Sequence, residues 1–306
     1  MDLSKTIKKI EKIPFWSRMV FLLAVIMIFM YINNNSNKLV EGFNNQKQQF
    51  VSKNKNLFDD FYCDIYDQLM YSKNKNNFEI KKVSLNGNIK NKMILDVGSG
   101  TGHHVNSFSK LGAKCVGIDK SESMVKKAKQ NYPKLKFIRE DVLKTITFPQ
   151  ETYDFITCFY FTLYYIKDKQ QFFHNCFNWL KPGGKLIIHL VNKEKFNPMV
   201  PAGDPFIIVS PQNYSDKRIT KSTVVFNNFK YDANFSLNNS NIGKLKETIR
   251  FNNSKKVREN EHILYMEDQN SILRTAQNSG FILEKKFHML DCEYDYQYLY
   301  ILTKPN

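Results

Sequence analysis

Residues Met93 to Gly102 read M-I-L-D-V-G-S-G-T-G, an apolar strand running into a carboxylate and then a glycine-rich turn. No other stretch limits the fold as much. Gly98, Gly100 and Gly102 can take backbone angles closed to other residues, and without side chains they let the main chain approach a ligand. A turn of this kind feeding a helix at His103 is expected to aim free backbone N–H groups at that ligand, as in dinucleotide sites. The spacing is wrong for a dinucleotide and puts a nicotinamide-dependent oxidoreductase last among the readings, because a G-x-G-x-x-G loop would place its third glycine where this chain has His103. A carboxylate at Asp96 would repel a pyrophosphate, and would suit the ammonium of an amino acid moiety.

The stretch Asp96–Gly102, D-V-G-S-G-T-G, resembles the first motif of the class I S-adenosylmethionine-dependent methyltransferases. The resemblance covers Leu57 to Lys304 and is most specific for Asp96 to Asp168 and for the K-P-G-G turn at 181–184. It implies an α/β fold: a Rossmann-like, mostly parallel seven-stranded sheet whose last strand is antiparallel. It also implies S-adenosyl-L-methionine as cofactor, held by Asp96, Gly98, Ser99, Gly100 and Gly102. Asp119 lies about 20 residues beyond the loop, where nucleotide-binding α/β folds place an acid on ribose hydroxyls. By position in the family, Met124 belongs against the adenine ring and Asp141 near the adenine amine.

Ligands in such sheets lie at the carboxyl ends of the strands. Cys158, Phe159 and Tyr160 end the strand Y-D-F-I-T-C-F and should border the methyl group, whereas Asp154 starts it and reads as structural. Methyl transfer from a sulfonium needs chiefly orientation, worth about 7 to 11 kcal/mol. It needs a base only where the acceptor must lose a proton. His189, near the end of the strand K-L-I-I-H-L-V, and Tyr160 are the catalytic candidates, with Tyr164 and His262 behind them. A buried core histidine is the simpler reading of His189. No metal site is expected, since His103 and His104 are adjacent on a helix start and point apart.

Residues 192–261 depart from the family. They alternate apolar and polar side chains, as in T-V-V-F-N-N-F-K-Y-D-A-N-F, which suggests an inserted antiparallel β flap on the substrate side.

The N-terminal part reads differently. Met19 to Ile32 is an unbroken apolar run that wants an apolar medium on all sides. With its aromatic flanks and Arg18, the 13–32 segment is expected to form a single transmembrane helix. A basic flank, 1–12, precedes it, and an Asn/Gln/Lys-rich tether, 33–56, leads to the methyltransferase domain at 57–306. No small-x-small cleavage pattern follows the run, so an anchor held by membrane lipid is favoured over a signal peptide. The positive-inside rule would place the domain across the membrane, but cytosolic cofactor supply and free thiols favour the cytosolic face.

The formal net charge of +16 suits anionic lipid or nucleic acid. A nucleic-acid methyltransferase is nevertheless disfavoured, because the fourth strand ends in C-F-Y-F in place of the Asn/Asp-Pro-Pro-aromatic motif of exocyclic amine methylation. The five cysteines are scattered without C-x-x-C spacing, so neither disulfides nor zinc are indicated. The expected activity is methyl transfer to a small-molecule, lipid or protein acceptor. A non-catalytic S-adenosylmethionine-binding protein is the alternative of another class.

Overall fold

The computed structural model describes residues 16, 49–53, 57–144, 148–199, 215, 217–254 and 256–306. All but residue 16 belong to a compact unit spanning Lys47–Asn306. Two sheets organise it. The larger has seven strands in the order β11-β12-β6-β5-β2-β3-β4. In chain order these are β2 (Met93–Val97), β3 (Lys114–Asp119), β4 (Lys136–Arg139), β5 (Tyr153–Cys158), β6 (Leu180–Val191), β11 (Ile282–His288) and β12 (Gln297–Thr303). Strands β2 to β6 are parallel, while β12 runs antiparallel to both β6 and β11. A last strand opposed to the others is what the sequence led one to expect.

Parallel sheets need both faces covered, and that requirement explains the near-continuous apolar runs of β2, β5 and β6. Along β5, Ile156 and Cys158 enter one core with Phe172, Phe173, Cys176 and Trp179 of helix α6 (Lys169–Trp179). Phe155 points the other way, into a second core with Ile80 and Val83 of α2 (Lys73–Leu85) and Phe108 of α3 (His103–Lys110). Helix α4 (Glu122–Asn131) is capped by Ser121, whose hydroxyl accepts from the Met124 N–H at 3.1 Å, and packs Val125 and Ala128 on Phe137. Helix α7 (Gln269–Asn278) covers the far end.

Asp154 opens β5 away from the carboxyl edge. It accepts from the Met93 N–H at 2.9 Å and from Lys92 and Lys181, both at 3.1 Å, a structural splice between strands. The K-P-G-G stretch, expected as a turn, is instead absorbed into β6 at a register shift opposite Tyr153 and Phe155.

The insertion is a second sheet, β1-β10-β9-β8-β7. Its strands β7 (Lys221–Val225), β8 (Phe229–Leu237), β9 (Ile242–Phe251) and β10 (Val257–Tyr265) form an antiparallel meander, so the insertion extends to Tyr265 and not only to 261. β1 (Gln49–Lys53), from the segment assigned to the tether, adds to it in parallel with β10. Helix α1 (Asp60–Met70) lays Tyr62, Ile65 and Leu69 on Phe229, Tyr231, Ala233 and Ile249 of this sheet, making a separate small core.

Among the described residues, no helix is long and apolar enough to cross a membrane. The expected anchor at 13–32 lies outside the described residues, apart from Trp16.

Candidate active site

A cavity of about 1120 Å3 opens at the carboxyl ends of β2, β3, β4 and β5, between the large sheet and the inserted one. Its volume exceeds the usual range for one drug-sized ligand and leaves room for a cofactor and an acceptor together.

The glycine loop forms its floor, with different duties for each glycine. All three have positive φ: 69° at Gly98, 51° at Gly100 and 93° at Gly102. A methyl group added to Gly98 would meet Thr162 at 2.4 Å, and one added to Gly102 would meet Phe137 at 2.7 Å. At Gly100 the nearest atom is the Tyr66 ring at 3.9 Å, so its Cα faces the open cavity. Gly102 stands back from the described lining and serves packing.

Four of the expected backbone donors are already taken within the fold. The N–H groups of Gly98 and Ser99 both donate to the Ile118 carbonyl, at 2.8 and 2.9 Å, that of Gly100 to Asp119 Oδ2 at 3.0 Å, and that of Gly102 to the Ser99 carbonyl at 3.0 Å. The loop bonds largely to itself and to β3.

Asp96 is 2 % exposed, with Oδ1 accepting from Thr157 at 2.7 Å and Oδ2 buried without a hydrogen-bond partner. Burial raises this carboxyl to about 6, against the opposing influence of His104 and Thr157. A buried carboxylate oxygen facing a cavity with no donor costs stability and is a ready partner for an ammonium. Asp119 is pushed up by burial, while N–H groups of Ser121 and Gly100 oppose this. Each of its oxygens accepts one backbone donor, which leaves lone pairs for ribose hydroxyls. Met124, 2 % exposed, and Ser99 both line the wall. Asp141 also lines it, bound to Lys120 at 2.8 Å and to the Leu143 N–H at 3.0 Å.

Three expected residues fall differently. Cys158, the last residue of β5, is fully buried in the large core and stands back from the described lining, while Phe159 and Tyr160, beyond the strand end, reach the cavity. His189 also stands back. It is fully buried, its Nδ1 lies 3.9 Å from Glu79 Oε1, and burial lowers its imidazole to about 4. That leaves a neutral core histidine with no route to an acceptor. Tyr160 does reach the cavity, on a backbone with φ of 51°, a strained setting for a non-glycine residue of the kind found at functional sites. Burial pushes its phenol up, so it cannot serve as an ionised base.

Sequence reasoning missed a charged group beside Asp96. Lys75 Nζ lies 3.3 Å from Glu79, and His104 Nε2 lies 2.7 Å from it. Burial would raise the Glu79 carboxyl, but Lys75 and His104 overcome this and hold it at about 2. Lys75 and His104 both line the cavity. The K-N-K-N-N-F-E-I stretch carries no motif that would have disclosed the pair.

Comparison with known proteins agrees with this geometry. Residues 95–188 match the family model described as a methyltransferase domain. A putative methyltransferase of Invertebrate iridescent virus 6 is 38 % identical over 100 residues, 32 % of this chain and 37 % of the relative. A ubiquinone biosynthesis O-methyltransferase of Coxiella burnetii is 32 % identical over 122 residues, 39 % of this chain and 51 % of the relative. The chain thus spans about half or less of these curated relatives. Among solved structures, an S-adenosylmethionine-dependent methyltransferase from Clostridium acetobutylicum superposes with a TM-score of 0.62 at 16 % identity, over 80 % of this chain and 98 % of that one. An amino pentose methyltransferase from Micromonospora echinaspora, solved with S-adenosylmethionine bound, gives 0.58 at 14 % identity, over 87 % and 100 %. Together with the self-bonded glycine loop, the unpaired Asp96 oxygen and the free lone pairs of Asp119, these matches identify residues 95–188 as a methyltransferase domain of the S-adenosylmethionine-dependent type.

Proposed function

We propose that this protein transfers the methyl group of S-adenosylmethionine to a hydroxyl of a small, flat, largely apolar acceptor. The observation that carries the cofactor half is the buried, unpartnered Oδ2 of Asp96 beside the open face of Gly100. The acceptor half rests on the opposite wall, where Phe58, Tyr66, Tyr160, Tyr165, Phe196 and Phe235 supply mostly rings. A wall of that kind around a bounded cavity favours a small molecule over a polymer such as RNA. The name of the Coxiella burnetii relative, an O-methyltransferase, supports oxygen as the acceptor atom.

When bound, the cofactor supplies an electrophilic methyl on a sulfonium. The chain's own residues hold the two reactants in line: Asp96 takes the ammonium, Asp119 the ribose hydroxyls, and Met124 the adenine face. Calorimetry with S-adenosylmethionine, its demethylated product and a nicotinamide dinucleotide tests the cofactor. Binding of the dinucleotide alone would overturn the assignment.

We infer further that the 13–32 segment anchors the domain to a membrane with the domain on the cytosolic side, supported by its uniform apolar run and aromatic flanks. Release of full-length protein by alkaline carbonate would refute the anchor. In a eukaryotic host, glycosylation at the Asn-x-Ser sites of 234–240 and 252–254 would refute the side.

A further inference from the structure

Across the cavity from the glycine loop, three polar side chains meet in line. The Tyr165 hydroxyl lies 2.6 Å from His262 Nδ1, and His262 Nε2 lies 2.8 Å from Glu247 Oε2. Glu247 on β9 and His262 on β10 are each 1 % exposed. Glu247 also accepts from Tyr62 at 2.8 Å, Tyr231 at 2.6 Å and Asn260 at 2.9 Å.

A carboxylate so held is ionised and only accepts. The relay takes His262 in its neutral form: with the proton on Nε2, on the side of Glu247, Nδ1 offers its lone pair to the Tyr165 hydroxyl. The far end of the line opens on the cavity: Tyr165 is 37 % exposed, and both it and His262 line the wall. A network serving only to fasten α1 to the inserted sheet would end in the core. This one ends where an acceptor would stand.

We propose that Tyr165, His262 and Glu247 form a proton relay that deprotonates an acceptor hydroxyl as it takes the methyl group. The inference rests on the methyltransferase reading above. As the acceptor oxygen forms its bond to the methyl carbon and the carbon–sulfur bond breaks, the sulfur leaves as a neutral thioether. The hydroxyl proton passes to the Tyr165 oxygen while the Tyr165 proton passes to His262 Nδ1. The resulting imidazolium is held by the Glu247 carboxylate until it returns its proton to water. Tyr165 cannot ionise first, because burial and the nearby Tyr66 and Glu247 hold its phenol well above the usual range. The titratable groups facing His262 are Glu247 from β9, Tyr62 from α1 and Tyr165 from the short helix α5 (Thr162–Tyr165).

The relay also separates acceptors. Among the described residues of this wall, Glu247 already accepts from Tyr62, Tyr231 and Asn260 and lies against His262, so an ammonium acceptor finds no free counter-charge there. A phenol or enol has its base in place.

The test uses the full chain and its Tyr165→Phe and His262→Gln variants. Histidine nitrogen NMR of the parent should show His262 as the neutral Nε2–H tautomer, with an Nδ1 resonance that moves in Tyr165→Phe. An Nδ1–H tautomer overturns the relay, and this measurement needs no cofactor. Labelled-methyl transfer is then measured on a panel of monohydric phenols and the matching anilines, which attack as neutral amines. Each variant should bind S-adenosylmethionine within about twofold of the parent and lower the phenol-to-aniline rate ratio by about 100-fold, the usual scale for a lost general base. An unchanged ratio in Tyr165→Phe refutes the relay even if His262→Gln does not fold. Failure to methylate any phenol by a protein that binds the cofactor also refutes it. Failure to bind the cofactor at all refutes the methyltransferase reading instead.

Discussion

Replacing Asp96 by Asn should move stability and affinity in opposite directions. The carboxyl rises from an ordinary 3.8 to about 6 in the folded protein because it is buried. That rise is worth about 3 kcal/mol against the folded state. The sign follows from the direction: an acid with a raised folded value leaves stability intact below about 3.8. It withdraws stability as pH climbs from there and has withdrawn all of it above about 6. An amide has no charge to desolvate, and its carbonyl oxygen can still accept from Thr157, which now donates to Oδ1 at 2.7 Å. At pH 7.5 the ligand-free variant should therefore melt about 5 °C or more above the parent. The gap should close as pH falls toward 4. Cofactor affinity should fall about 10- to 150-fold, the equivalent of about 1.5 to 3 kcal/mol for a lost charge-assisted hydrogen bond. In the parent, affinity should itself weaken as pH drops through about 6, where Asp96 takes up a proton. Thermal melts across pH and calorimetry check both arms. An unchanged dissociation constant, or a variant that melts lower at pH 7.5, would refute the role of this carboxylate as the ammonium's partner.

The three glycines should separate in the same assays. Gly98→Ala and Gly102→Ala force methyl groups into Thr162 and Phe137 and should cost about 1 to 3 kcal/mol of stability beyond backbone strain. Gly100→Val should abolish cofactor binding in calorimetry, because its side chain would fill the cavity and not the core. Asp154→Asn should lower stability by about 1 kcal/mol through its partly exposed lysine pairs, with the cofactor dissociation constant unchanged. Titration of Glu79 should show as acid instability: its folded value of about 2 lies below the ordinary 4.5, so its contribution is present above 4.5 and lost as pH falls toward 2.

The cofactor half was legible because its chemistry is written in backbone geometry. Positive φ at three alternate residues favours glycine, and the strand and helix bounds from His103 to Asp119 follow the apolar pattern closely. The acceptor half was less so. On β10 the inward positions are Arg258, Asn260, His262 and Leu264, three of them polar. A reading that equates inward with apolar passes over such a strand. The partner that makes His262 useful, Glu247, lies on a neighbouring strand and shares no spacing with it. His189 drew attention because it ends a strand, but a strand end has two faces, and its ring lies on the side of Glu79.

The small core between α1 and the inserted sheet has an evolutionary consequence. Tyr62, Ile65 and Leu69 pair with Phe229, Tyr231 and Ile249 in a core of their own, while other positions of α1, Tyr66 and Asp67, face the glycine loop. Substitutions there can accumulate in compensating pairs without disturbing cofactor capture, so lineages can drift toward new acceptors while residues 95–188 stay recognisable. Divergence would then be fastest in the wall that chooses the substrate, and relatives sharing the cofactor half need not share an acceptor.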